Sequence, residues 1–68
     1  MKITPYEIRS WRRLKMDKGQ AFAGQLFHNG MYQCDVILST VSILELEDRI
    51  ILEDINHQYT LMKSYHKP

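Results

Sequence analysis

The architecture hinges on Thr4-Pro5-Tyr6-Glu7-Ile8-Arg9-Ser10-Trp11-Arg12-Arg13-Leu14-Lys15-Met16-Asp17-Lys18-Gly19. Thr4 and Glu7 have the spacing of a capping box, in which each side chain accepts from the other residue's backbone N–H. Pro5 then stands at the first helical position, where a missing N–H is no loss. Ile8, Trp11 and Leu14 recur every three residues with Met16 close by, which on a helix makes one apolar stripe. Arg9, Arg12 and Arg13 fall off that stripe, so they are expected in solvent while Trp11 docks into the core. Lys15 and Lys18 suit the negative pole of a helix, and Gly19 suits a left-handed C-terminal stop. The spacing therefore predicts a helix over residues 5–18.

Beyond Gly19 the pattern is one of strands. Asn29-Gly30 is the strongest short hairpin signal, and it separates Gln20–His28 from Met31–Leu38. A two-residue loop there pairs Phe27 with Tyr32, Gln25 with Cys34, Ala23 with Val36 and Ala21 with Leu38, a mostly apolar face. The other face is mixed. Gly24 inside a strand signals a bulge or a sharp bend.

From Met31 to Lys67 there is neither Gly nor Pro except Pro68 beyond, so turns rest on Asp, Asn and Ser. A helix over 41–62 would align Val41, Leu44, Ile51, Leu52, Ile55, Tyr59 and Met62. It would also leave Ile43, Leu46, Ile50 and Leu61 on other faces and so require burial nearly all round. A short chain offers no second layer for that. Strands near 41–47, 50–54 and 58–65 are preferred, with turns at Glu47-Asp48-Arg49 and Asp54-Ile55-Asn56-His57.

The fold class expected is α+β in a single domain, 1–68: a helix over 5–18, a hairpin over 20–38 and further strands over 41–65. Together the strands make a small, strongly bent antiparallel sheet of about five strands. The order of elements resembles the Sm-like pattern, a likeness of topology alone. It implies an SH3-like or Sm-like barrel with the helix over one open end, and it transfers no function. An open sheet with the helix across one face is the alternative.

A chain of 68 residues buries only about 60% of its unfolded surface, which disfavours a deep enclosed active site. Its 44% hydrophobic and 25% charged residues suit a globular domain and not a disordered one. Apolar runs such as Val36-Ile37-Leu38 are far too short for a membrane span, and no apolar segment of signal-peptide length follows Lys2. One cysteine, Cys34, cannot form an internal disulfide, so a reducing, cytoplasmic setting is expected. The net charge of +1 hides an asymmetry. Residues 1–20 hold six Lys and Arg against two acids, and residues 21–68 hold three against six.

Chemistry-bearing constellations are sparse. His28, His57, His66 and Cys34 lack the close pairing of a zinc site, so neither a metal nor a cofactor is expected. Cys34 falls on the hairpin's apolar face as a small hydrophobe. The histidines sit in or near turns and a chain end, as exposed polar residues. Glu45 and Glu47 share a strand face and read as a solvated surface. No serine is placed beside a histidine in a way that suggests an activated nucleophile.

The feature above background is the basic set Arg9, Arg12, Arg13, Lys15 and Lys18, with Tyr6 and Trp11 interleaved. Arginine's planar donor fork fits carboxylates and phosphates alike. The expected function is a non-enzymatic binding or regulatory module, an adaptor or inhibitor acting through a protein partner with an acidic surface. Nucleic-acid binding through the basic helix is the alternative, and self-association into a homodimer is compatible with either.

Overall fold

In a computed structural model of the chain, residues 4–17, 19–39 and 42–67 are described. Six strands follow one another: β1 (Thr4–Lys15), β2 (Gln20–His28), β3 (Met31–Ser39), β4 (Ser42–Glu45), β5 (Arg49–Glu53) and β6 (His57–Met62). A single 3₁₀ turn, Lys63–Tyr65, ends the sequence of elements. They form one sheet in the order β3-β2-β1-β6-β5-β4. Every neighbouring pair is antiparallel except β1 and β6, whose parallel seam sets Thr4 beside His57, Tyr6 beside Tyr59 and Glu7 beside Thr60.

The helix expected over 5–18 does not form, and the α+β class falls with it. Through Lys15 that stretch is β1, the longest of the described strands. Its three-residue spacing has a different cause. The β1–β2 register shifts by one residue between Arg9 and Arg12, and Ser10 within that bulge has a φ of 52°. One inserted residue in a two-residue period carries Ile8 and Trp11 to the same side of a strand, three apart, as a helix would. Ile8 and Trp11 are buried, whereas continued alternation turns Leu14 the other way, against Ala21. Pro5 is tolerated because it lies near the start of the strand.

Gly24 lies opposite the bulge, between Gln25 and Ala23 that pair with Arg9 and Arg12. A Cβ at Gly24 would stand 2.5 Å from Cγ2 of Ile8 and 3.0 Å from Cβ of Trp11. The missing side chain is what lets the bulged strand close onto β2.

The hairpin forms with His28 opposite Met31 and Phe27 opposite Tyr32, as Asn29-Gly30 dictates. A second irregularity between Leu26 and Phe27 then places Leu26 opposite Cys34, Gly24 opposite Val36 and Phe22 opposite Leu38. The pairs expected from uninterrupted alternation (Gln25 with Cys34, Ala23 with Val36, Ala21 with Leu38) are therefore displaced by one. The inward set of β2 is Phe22, Gly24 and Leu26. Residues 42–62 adopt strands, with Leu46–Asp48 and Asp54–Asn56 between them; Val41 lies outside the described residues.

Ile8, Trp11, Phe22, Ile50, Leu52 and Leu61 make one buried cluster, joined by half-buried Leu26, Val36, Leu38 and Tyr59. Phe22 and Ile50 come from strands on opposite wings of the sheet, so the sheet folds over onto itself around them. Burial of side chains this size contributes about 1.5–3 kcal/mol each, and it is the main force holding the two wings together. The curl stops short of a closed barrel: among the described residues, β3 and β4 remain unpaired edges. Closure of the SH3-like or Sm-like kind is thus also corrected.

Trp11 ties the last residues to the bulge. Its indole N–H donates to the Met62 carbonyl at 2.8 Å, its carbonyl accepts from Lys67 N–H at 2.7 Å, and His66 rests on its ring at 4.6 Å.

Candidate functional site

A strand presents alternate residues to opposite faces, so the basic residues of β1 cannot act as the single surface a helix would give them. Arg9 and Arg12 pair with Gln25 and Ala23 on the outer face of the sheet. Arg13 shares the inner side with Trp11. Its guanidinium lies 5.5 Å over the Phe22 ring and reaches the Glu45 carboxylate at 3.4 Å, where Lys63 Nζ donates at 3.1 Å. The Lys63 hydrogen bond first, and Arg13 second, hold the Glu45 carboxyl below its usual range. Lys15, the exposed last residue of β1, falls on Arg13's side by the same alternation. Lys18 lies outside the described residues.

Arg9 is engaged internally. Its Nε donates to Glu7 at 2.6 Å, and its guanidinium covers Phe27 at 4.2 Å and Tyr65 at 5.3 Å. Arg12 differs. Among the described residues no carboxylate pairs with it, and it lines an open groove of about 600 Å³ on the outer face.

Groove and bulge are products of the same residues. Ala23, Gly24 and Gln25 of the middle strand form the floor, and the small side chains at two of the three leave it concave. Ser10, Arg12 and Lys67 make one wall; Asp35, Val36 and Ile37 make the other. Lys67 reaches this position because its backbone N–H is fixed to Trp11, and its ammonium has no ion-pair partner among the described residues. Asp35 accepts from the Tyr32 hydroxyl at 2.9 Å, a bond that pushes the Tyr32 pKa up. Ile37 is 69% exposed. The groove thus offers two uncommitted cations, an amide and an exposed apolar side chain to one ligand. A left-handed φ at a non-glycine residue marks strain, and strain of this kind concentrates where a surface has work to do.

Lys67 and Asp35 were not among the basic candidates that the sequence singles out. No local pattern marks Lys67, because its position depends on a bridge between Trp11 and His66 far apart in the chain.

A second concentration of polar rings lies at the inner end of the β1–β6 seam. Tyr6 contacts His28 at 5.1 Å, His57 at 5.6 Å and Tyr59 at 5.7 Å. His57 Nδ1 lies 3.0 Å from an Asp54 carboxylate oxygen and His28 Nδ1 lies 3.3 Å from the Pro5 carbonyl. Both oxygens accept, so Nδ1 is the donor in each contact. Backbone N–H groups of Asn56 and His57 also donate to Asp54 and lower its pKa, and burial raises that of Tyr59. These histidines are half-buried, not the exposed residues expected from their turns, while His66 is exposed. Cys34 is exposed at the sheet edge and not packed as a small hydrophobe. Among the described residues, no group of three His, Cys, Asp or Glu side chains is placed to hold a metal ion, and no helix is long and apolar enough to cross a membrane.

No protein family model, curated protein or solved structure matches this chain.

Proposed function

We propose that the chain is a small non-enzymatic binding module, an adaptor or inhibitor, that grips an acidic segment of a partner protein in the outer groove of β1–β3. The observation that carries this reading is the convergence of Arg12 and Lys67 on one groove without a carboxylate on either. An extended peptide lies along such a face. Its carboxylates meet the two cations, and its apolar side chains meet Ile37 over the Ala23–Gly24 floor. Asp35, on the opposite wall, can accept from backbone N–H groups of a peptide, donors that a sugar-phosphate backbone lacks and a nucleic acid offers only on its bases. A cytoplasmic setting belongs to this reading, and the free, exposed thiol of Cys34 suits a reducing compartment.

Nucleic-acid binding is the second reading, favoured by the exposed rings of Tyr32 and Tyr65. One experiment separates the two. A fluorescein-labelled decapeptide of alternating Glu and Val and an oligo-dT of ten nucleotides are titrated by anisotropy at about 50 and 200 mM salt. The acidic-peptide reading expects the peptide to bind more tightly, and Arg12→Glu with Lys67→Glu to weaken it at least about tenfold. Tighter binding of the oligonucleotide at both salts would replace it with the nucleic-acid reading, and binding of neither would remove both.

A further inference from the structure

We infer that two copies of this chain pair through their β3 edges, antiparallel, about a two-fold axis at Ile37. The two free edges of the sheet are unlike. β4 spans four residues and leads into Glu45, Glu47 and Asp48, the short, charged form by which proteins keep an edge unpaired. β3 spans nine residues with no Lys, Arg or Pro. It leaves Met31 68% and Ile37 69% exposed, and its one charge is Asp35. An unprotected edge of that length is a template for another strand.

Charge and register choose the occupant. The irregularity near Gln33 limits the regular run to Cys34–Ser39. A two-fold axis at Asp35 would set two carboxylates face to face. An axis at Val36 would set Asp35 against Ile37. An axis at Ile37 sets Asp35 against the Ser39 hydroxyl, Val36 against Leu38, and Ile37, the most exposed apolar side chain of the strand, against its counterpart in the second copy. Inward residues then meet inward residues, continuing the pleat from one copy to the next.

A two-fold pairing is closed, which a β3-to-β4 pairing between copies would not be. It leaves the Arg12 and Lys67 wall of the groove on the surface, whereas Ile37 belongs both to the groove and to the seam.

The test is mass in solution, by light scattering behind size exclusion, with cross-linking as the register check. The wild-type chain is expected at twice 8.1 kDa. Ile37→Lys, a charge at an already exposed site, is expected to raise the dissociation constant at least about tenfold. Ile55→Lys, at a turn residue 80% exposed, is expected to leave the mass unchanged. In a Cys34→Ser background, mild oxidation is expected to link two copies carrying Ile37→Cys and not two carrying Asp35→Cys. A mass of 8.1 kDa at every concentration to about 1 mM overturns the inference. So does a dimer that Ile37→Lys leaves intact, or the absence of an Ile37→Cys cross-link.

Discussion

Replacing Gly24 with alanine sets two effects against each other. Its backbone is not in the left-handed region, so the usual restriction of the unfolded chain would make the alanine variant more stable by about 0.4–1 kcal/mol. The bulge opposes this. The new methyl would stand 2.5 Å from Ile8 Cγ2, 3.0 Å from Trp11 Cβ and 3.2 Å from the Arg9 carbonyl. Ile8 is fully buried and Trp11 is 2% exposed, so neither has free space to retreat into. Overpacking of a tight core costs about 1–3 kcal/mol, and the net is a loss of about 1–2 kcal/mol. A chain of this length has only about 3–10 kcal/mol of stability in all. Trp11, the one tryptophan, reports unfolding by fluorescence. With a urea slope of about 1 kcal/mol/M, the midpoint should fall by about 1–2 M. Ile8→Leu removes the offending Cγ2, so Gly24→Ala should be much less damaging in that background. A midpoint unchanged or raised by Gly24→Ala in the wild-type chain would refute the close approach of the two strands at the bulge.

Ser10→Gly relieves about 1–2 kcal/mol of left-handed strain but loosens the unfolded chain by about 0.4–1 kcal/mol, so a calorimetric scan should show the melting temperature rising by only roughly 2–6 °C. Trp11→Phe loses the indole bond to Met62, so it should cost about 1–3 kcal/mol in thermal melts followed by circular dichroism. Asp54 accepts from Asn56 and His57 and titrates below its ordinary 3.8. A depressed carboxylate stabilises fully above that ordinary value and loses its contribution as pH falls through the lower folded one. Wild type and Asp54→Ala should therefore differ in melting temperature at pH 6 and converge in strong acid; a gap constant with pH would contradict this.

How much of this was legible in the residues depends on where the strands are interrupted. Asn29-Gly30 encodes its turn through φ alone, and both Asn29 and Gly30 do have positive φ. The Ile, Leu and Tyr of residues 42–62 cannot be buried on all sides in so small a chain, which leaves strands. The misreading of Thr4–Lys15 arose because a bulge converts a period of two into a spacing of three. Gly24 carried the needed information, but its bulge lies in the strand that a helix reading removes from the sheet. Trp11 was rightly placed in the core, on the wrong element. The basic candidates were divided between faces for the same reason, and the partner of Arg12 in the groove, Lys67, is brought there by contacts that no nearby residues encode.

The parallel seam between the first and last strands has a consequence for how the chain comes into being. The β1–β2–β3 meander can assemble as it emerges, but its inner face then lacks Leu61, Ile50 and Leu52. Trp11 meets the carbonyl of Met62 across 51 residues of intervening chain. At about 5–20 residues per second of synthesis, the half-sheet, complete at Ser39, waits roughly 1–5 s for β6 to reach Met62 with its apolar side uncovered. During that interval it exposes both Trp11 and two unsatisfied edges, one on β1 and one on β3. The newborn chain is therefore most prone to mispairing in the interval before β6 joins β1, and a helper that shields β1 for those seconds would raise the yield of folded protein.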